Sequence, residues 1–418
     1  MSSSDLAFEI AAIRLVDTHE HLQPAGAWRE NGPDILQDLF GHYAWHDLVS
    51  AGLQPDALER LLNPASGSIT ARFNDIREAW ERTQFAGYGE AIRLSAHHTY
   101  GIDEITAEAL EAAQPIVASL QNDAERLRLM REVALLDHVQ IDDMQWNRVP
   151  EPLSPEFFTY DLSMWSFCRG EIENEKIAAE TGVTVTDLDS LRNAIASIFL
   201  KNAPHSIAVK SQHAYDRSLA WEERTEAEAT HALQAVLRDG GTSIDRAVLG
   251  DWCWARSIEH AIEYGLPFKV HTGMFARNGR MTIAWVRPGH LTKLLARYPE
   301  ARFVLMHIGY PYGDELISIA KHYANVWVDL CWAWSIDPYS SSDFVRRFIH
   351  AAPVNKLFAY GGDTMWPTNV LAYSLQARRW LTKTLEAEVA AGDLTEKQAI
   401  TIAERIMRRN QFECFDLL

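Results

Sequence analysis

The stretch Ile13-Arg14-Leu15-Val16-Asp17-Thr18-His19-Glu20-His21-Leu22 decides how the chain is read. It begins as a short apolar run and ends on two histidines one residue apart. Residues i and i+2 of a strand share a face, so a strand here aims His19 and His21 at one point beyond its end. Two imidazoles held that way make half of a site for a divalent transition metal. A bare His-x-His also occurs as a surface pair, so the reading turns on whether later strands end in matching residues.

Working outward, apolar runs at 139–142, 157–162, 206–210, 266–271, 302–307, 326–330 and 356–363 read as seven further strands. Helical segments such as 187–202, 222–238 and 252–264 separate them, and helices at 369–390 and 396–410 close the chain. Strands alternating with helices imply a parallel sheet. Eight such units, with no doubly wound nucleotide fingerprint, imply an α/β fold of the (β/α)8 TIM-type barrel kind. Between strands 1 and 2 the chain from about 24 to 131 has little strand character; 34–49, 56–62, 68–91 and 106–131 read as helices. We read this as a helical insertion within one barrel domain spanning 1–418. Loops that follow barrel strands lie on the catalytic face, so the insertion is expected to be a lid or pocket wall, with Tyr43 and Trp45 lining the substrate site. A peripheral helical bundle is the alternative.

Four strand ends then carry one kind of chemistry. Strand 1 ends in His19 and His21, strand 5 in His271, strand 6 in His307 and strand 8 in Asp363. In a closed barrel these ends meet at one mouth. His19, His21, His271 and Asp363 are the expected metal ligands, an imidazole and carboxylate set that leaves positions open for water or substrate. Asp363 is also expected to take the proton of the activated water; the reading set aside is a helix N-cap, with Pro367 close behind. The Gly361-Gly362 pair before it allows close backbone approach. His307 is expected to orient or polarise a carbonyl; direct ligation, or a hydrogen bond at the barrel top, are the other readings. Lys210, ending strand 4, admits three: a carbamylated bridge between two metals, an ammonium that pairs with a substrate carboxylate, or a surface lysine. Arg217, Arg277 and Arg280 lie in loops after strands 4 and 5, where arginine suits a bidentate grip on a carboxylate or simply stays solvated.

Composition bounds the rest. The 418 residues are 47% hydrophobic, ample for a large core, and the net charge of -18 argues against a nucleic-acid partner. Four scattered cysteines, with no Cys-x-x-Cys, fit a reduced cytoplasm rather than a disulfide frame or a structural zinc. No signal peptide and no membrane-spanning run is read in the chain. A small-molecule substrate, a cytoplasmic location and a homo-oligomeric state are expected.

The ordered set His19-x-His21, His271, His307 and Asp363 resembles the amidohydrolase superfamily. Within it, His307-Ile-Gly-Tyr-Pro-Tyr, the run 326–330, Gly361-Gly362-Asp363 and the Lys210 to Arg217 block resemble the amidohydrolase-2 group, which includes fungal FluG-like N-terminal domains. That resemblance implies hydrolases and nonoxidative decarboxylases, usually with one metal. Asp17-Thr-His-Glu-His-Leu-Gln-Pro24, Leu39 to Trp45 and the His271 to Asn278 loop resemble uronate isomerase instead. The eighth-strand Gly-Gly-Asp-Thr and the presence of His307 depart from that second pattern. The expectation carried forward is a metal-dependent hydrolase of a small acidic substrate, with uronate isomerisation or decarboxylation as alternatives. The expected cofactor is one divalent ion, zinc first, with manganese and iron also suited to these ligands.

Overall fold

The computed structural model describes residues 5–146, 151, 153–276 and 279–417. Eight strands follow one another around the sheet in chain order: β1 (Leu15–Glu20), β2 (Leu136–Ile141), β3 (Phe158–Ser163), β4 (Ala208–Ser211), β5 (Phe268–Val270), β6 (Phe303–Leu305), β7 (Val326–Asp329) and β8 (Leu357–Phe358). Every pairing is parallel. Hydrogen bonds from Thr18 N–H to the Tyr360 carbonyl (3.2 Å), Asp363 N–H to His19 (2.9 Å) and His21 N–H to Thr364 (2.9 Å) join β1 to the segment after β8 and complete the ring. The fold is a (β/α)8 barrel, as the alternation of strands and helices implied.

The strands read as unbroken apolar runs because helices cover one face and the barrel interior the other. All six residues of β1 are buried. Buried Lys269 inside the barrel is paired: its Nζ donates to both Asp161 oxygens (2.8 and 2.9 Å) and to the Thr18 carbonyl (2.7 Å). The eighth strand is shorter than the sequence reading, which carried it to Asp363. Its continuation is held by β1 rather than by a regular ladder, because β1 side chains occupy the space beside it. A Cβ on Gly361 would lie 2.8 Å from Cys331 Sγ and Thr18 Oγ1, and one on Gly362 would collide with the Glu20 carboxylate. The glycine pair is therefore a steric requirement.

From Ala25 to Val133 the chain is helical, as expected of the insertion, but more finely divided. The expected 34–49 helix is two, Ile35–Phe40 and Ala44–Ser50, with Gly41, His42 and Tyr43 at the break. The expected 68–91 helix is also two, Ile69–Thr83 and Gly87–Tyr100. Gly87 packs directly on the Ser335 backbone, a contact that no larger residue permits. On the barrel side, the expected 252–264 helix begins earlier, at Ser243, where Thr242 and Asp245 form a capping box. One continuous apolar core runs through insertion and barrel, from Trp28 and Phe40 to Phe303 and Leu381. Buried Asp38 fastens the two by accepting from Tyr100 Oη (2.6 Å) and Thr368 Oγ1 (2.5 Å), the latter in the helix Pro367–Ala391.

Candidate metal centre

β1 delivers His19 and His21 to the barrel mouth, where their Nε2 atoms lie 3.3 and 3.2 Å from Asp363 Oδ1. The donor atoms of these three residues lie within 4.8 Å of one another. A tetrahedral shell with bonds of about 2.0–2.1 Å separates its donors by roughly 3.3–3.4 Å, so the spacing fits a divalent ion. The tautomer fits as well. His21 Nδ1 lies 2.6 Å from the Asp142 carbonyl, which can only accept, so in the neutral ring Nδ1 carries the hydrogen and Nε2 offers its lone pair to the centre. Asp363 Oδ1 is buried with the two imidazole nitrogens as its close polar neighbours, which suits a site built around a cation.

Asp363 has φ 58°, in the left-handed region that Asp and Asn tolerate best among residues with a side chain. It is not a helix cap: Trp366 precedes the helix that starts at Pro367. Its amide bonds to His19, and its carbonyl lies 2.8 Å from His42 Nε2, supplied by the insertion. Burial would raise the Asp363 pKa, yet His19 and His21 together hold it well below the usual carboxylate range. Burial likewise opposes charge on His21, but hydrogen bonding to Asp363 and the charges of Asp363 and Asp142 carry its pKa above the ordinary value.

β5 and β6 deliver a second pair of imidazoles with different partners. His271 Nδ1 faces His307 Nε2 at 3.0 Å. The outer nitrogens face carbonyls: His271 Nε2 that of Met274 (3.0 Å) and His307 Nδ1 that of Cys331 (2.9 Å). His271, expected as a ligand beside His19 and His21, thus turns Nδ1 to His307 and Nε2 to a carbonyl rather than to Asp363. His307, expected to polarise a carbonyl, has its one neutral-state N–H committed to Cys331, so it offers a lone pair and no donor. Burial is the main reason both pKa values fall, that of His307 to about 3.

The remaining expected residues are sorted by their contacts. Lys210 is fully buried, which removes the surface reading; its Nζ lies 3.3 Å from His19 Nε2, 3.4 Å from Gln212 Oε1 and 3.6 Å from Asp142 Oδ2. Arg217 does not reach the mouth as a substrate anchor. Its guanidinium is drawn to Asp251 (2.9 Å) and the Cys168 carbonyl (2.8 Å), pinning the loop after β4 to the helix Ser243–Glu263. Trp45 stacks on His46 at 3.7 Å and is not part of the cleft lining. Tyr43 does line the cleft, stacked on Trp332 at 4.3 Å. Arg277 lies outside the described residues, and Arg280 is exposed.

The cleft above the histidines has a volume of about 860 Å³, within the roughly 300–1,000 Å³ usual for small-molecule sites. His21, Asp142 and Gln212 lie at its edge, and Tyr215, Trp165 and Met365 are among its larger walls. Its lining includes the carboxylates Asp123, Asp142, Asp143 and Glu151 against one guanidinium, Arg29, itself paired with Asp123 at 2.6 Å. The basic anchors expected for an acidic substrate are therefore absent from the lining among the described residues. Asp142, His42, Gln212 and Cys331 were missed as site residues. Asp142 carried a usable signal, since it ends the run 139–142 just as the ligands end theirs, and His42 lay within the Leu39 to Trp45 segment that stood out by resemblance; Cys331 had none, because only packing brings it here.

A parallel (β/α)8 barrel with histidines and a carboxylate gathered at the carboxyl ends of its strands defines a class of metal-dependent barrel enzymes. The amidohydrolase family model matches residues 198–402. The fluG protein of Emericella nidulans is 30% identical over 155 residues, a match that covers 36% of this chain and 17% of fluG. The crystal structure of uronate isomerase from Thermotoga maritima superposes with a TM-score of 0.80 at 16% identity, covering 98% of this chain and 96% of the isomerase. A Lactobacillus casei protein described as a metal-dependent hydrolase gives 0.68 at 13% identity, covering 99% and 98%. The matched stretch, residues 198–402, is thus similar to the amidohydrolase superfamily, and the solved structures share the fold.

Proposed function

We propose that the protein is a metal-dependent hydrolase that cleaves a carbonyl-type bond in a small molecule seated in the cleft. The observation that supports it is the convergence of His19 Nε2, His21 Nε2 and Asp363 Oδ1 at spacings suited to one ion. Bound there, a divalent ion supplies Lewis acidity and brings the pKa of a water toward about 7. Asp363 is ionised at neutral pH and stands beside the ligand histidines, where its carboxylate can accept the proton and return it to the leaving group. His42 holds the Asp363 carbonyl, and with it the backbone orientation of that carboxylate. Tyr43 and Trp332 form a rigid aromatic wall.

The test is a panel of small amides, esters and lactones assayed before and after chelation. Activity should vanish with the ion and return when a divalent ion is restored. Full activity after exhaustive metal removal would sink the proposal. A second reading, isomerisation of a sugar acid, is favoured by one observation: the likeness to uronate isomerase extends over nearly the whole chain, insertion included. Conversion of an aldose acid to a ketose acid without net hydrolysis would establish that reading in place of the first.

A further inference from the structure

We propose that Cys331 is a metal ligand, and that with His307 and Asp363 it forms a second cation site that shares Asp363 with the first. This rests on the metal-centre reading above and adds a thiolate donor to it. The donor atoms of His307, Cys331 and Asp363 lie within 4.8 Å of one another, and all three residues are buried. Asp363 Oδ1 serves His19 and His21, while Oδ2 lies on the other side, 3.9 Å from His307 Nε2. One carboxylate can thus hold an ion on each oxygen.

A second observation points to a cation at the same place. The carbonyls of Cys331 and Met274 can only accept, so His307 Nδ1 and His271 Nε2 must each carry a hydrogen. In neutral rings, the two nitrogens that face each other at 3.0 Å, His307 Nε2 and His271 Nδ1, are then both lone pairs. Two acceptors face to face, buried from water, repel unless a positive species lies against them. The barrel's own ammonium groups are committed elsewhere: Lys269 to Asp161, and Lys210 to Asp142 and the His19 side of the mouth.

The donor set selects the guest. A thiolate with an imidazole and a carboxylate favours a borderline or soft divalent ion such as zinc or cadmium over magnesium or calcium, which take oxygen ligands. Binding forms an S–metal bond and breaks the S–H bond of Cys331, with the proton released to solvent.

The test is ion stoichiometry and ultraviolet absorption of the full-length protein loaded with cadmium or zinc. Two ions per chain are expected, together with a cadmium–thiolate charge-transfer band. Cys331→Ser should retain one ion and lose that band. The wild-type spectrum stands without the variant, should the variant fold poorly. One ion per chain with no thiolate band overturns the second site and leaves the hydrolase reading intact. No ion retained under any loading overturns both.

Discussion

Two pairs of histidines share one barrel mouth and have opposite electrostatic characters. His19 and His21 both face the carboxylate of Asp363, and His21 is more basic than an ordinary imidazole. His271 and His307 face each other, are tied outward to backbone carbonyls, and are much less basic. All four sit at the ends of apolar strands and are alike in sequence. The difference lies in what each ring's second nitrogen meets. A carbonyl behind His21 turns its lone pair toward a carboxylate, whereas carbonyls behind His271 and His307 turn two lone pairs toward each other. Residue type thus supplies the donors, and the partner behind the ring decides where each lone pair points.

The contrast can be broken most severely at Asp363, whose carboxylate approaches both pairs. Asp363→Asn keeps the left-handed backbone that Asn also tolerates and removes the charge; activity should fall by roughly 10²–10⁴-fold or more, read as kcat at saturating metal. His21→Ala should weaken ion affinity, measured by competition with a chromogenic chelator, by more than the roughly 10–100-fold that follows loss of a group merely orienting a ligand. His271→Ala should fall within that smaller range and leave the ion at His19 and His21 in place; loss of this ion as complete as in His21→Ala would return His271 to the first ligand set.

Acidity sharpens the contrast further. In the metal-free protein His21, raised above 6.5, should hold its proton at a pH where His307, lowered to about 3, stays neutral. The sign follows: the His21 interaction stabilises the metal-free fold on the acid side of the ordinary value and is lost as pH rises through its raised pKa. Ion affinity runs the other way, because a ligand must shed its proton, and should weaken as pH falls through that same value. Imidazole resonances followed by NMR and ion titrations at several pH values read the two halves. The smallest effect on chemistry is expected at Arg217. Arg217→Ala should leave KM unchanged and cost about 1–3 kcal/mol of stability, because it strips a hydrogen-bonded partner from buried Asp251.

The strands were legible because parallel barrel strands are buried on both faces and read as apolar runs; each of the eight expected runs overlaps an observed strand, although β2 begins three residues before its run. The mouth was legible for the same reason, since a polar residue closing such a run has nowhere to go but the barrel's end. The misplacements have one source. Arg217 was expected at the substrate because it follows β4, but Asp251, thirty-four residues on, holds it. Tyr43 and Trp45 were both expected on the cleft, yet Tyr43 lines it while Trp45, two residues on, lies against His46. Nothing local marks which of two neighbouring aromatics faces inward.

By itself the sequence determined the barrel, the helical insertion and the residue types at the mouth, because burial imposes a periodicity that one-dimensional text records. Only the tertiary structure decided how those residues divide. It set His19 and His21 on one oxygen of Asp363 and His307 toward the other, brought Cys331 within reach of His307 and Asp363, buried Lys210 against Asp142, and gave the cleft an acidic lining. Those outcomes depend on distances between residues hundreds of positions apart and on carbonyls behind each ring, and no local pattern encodes either.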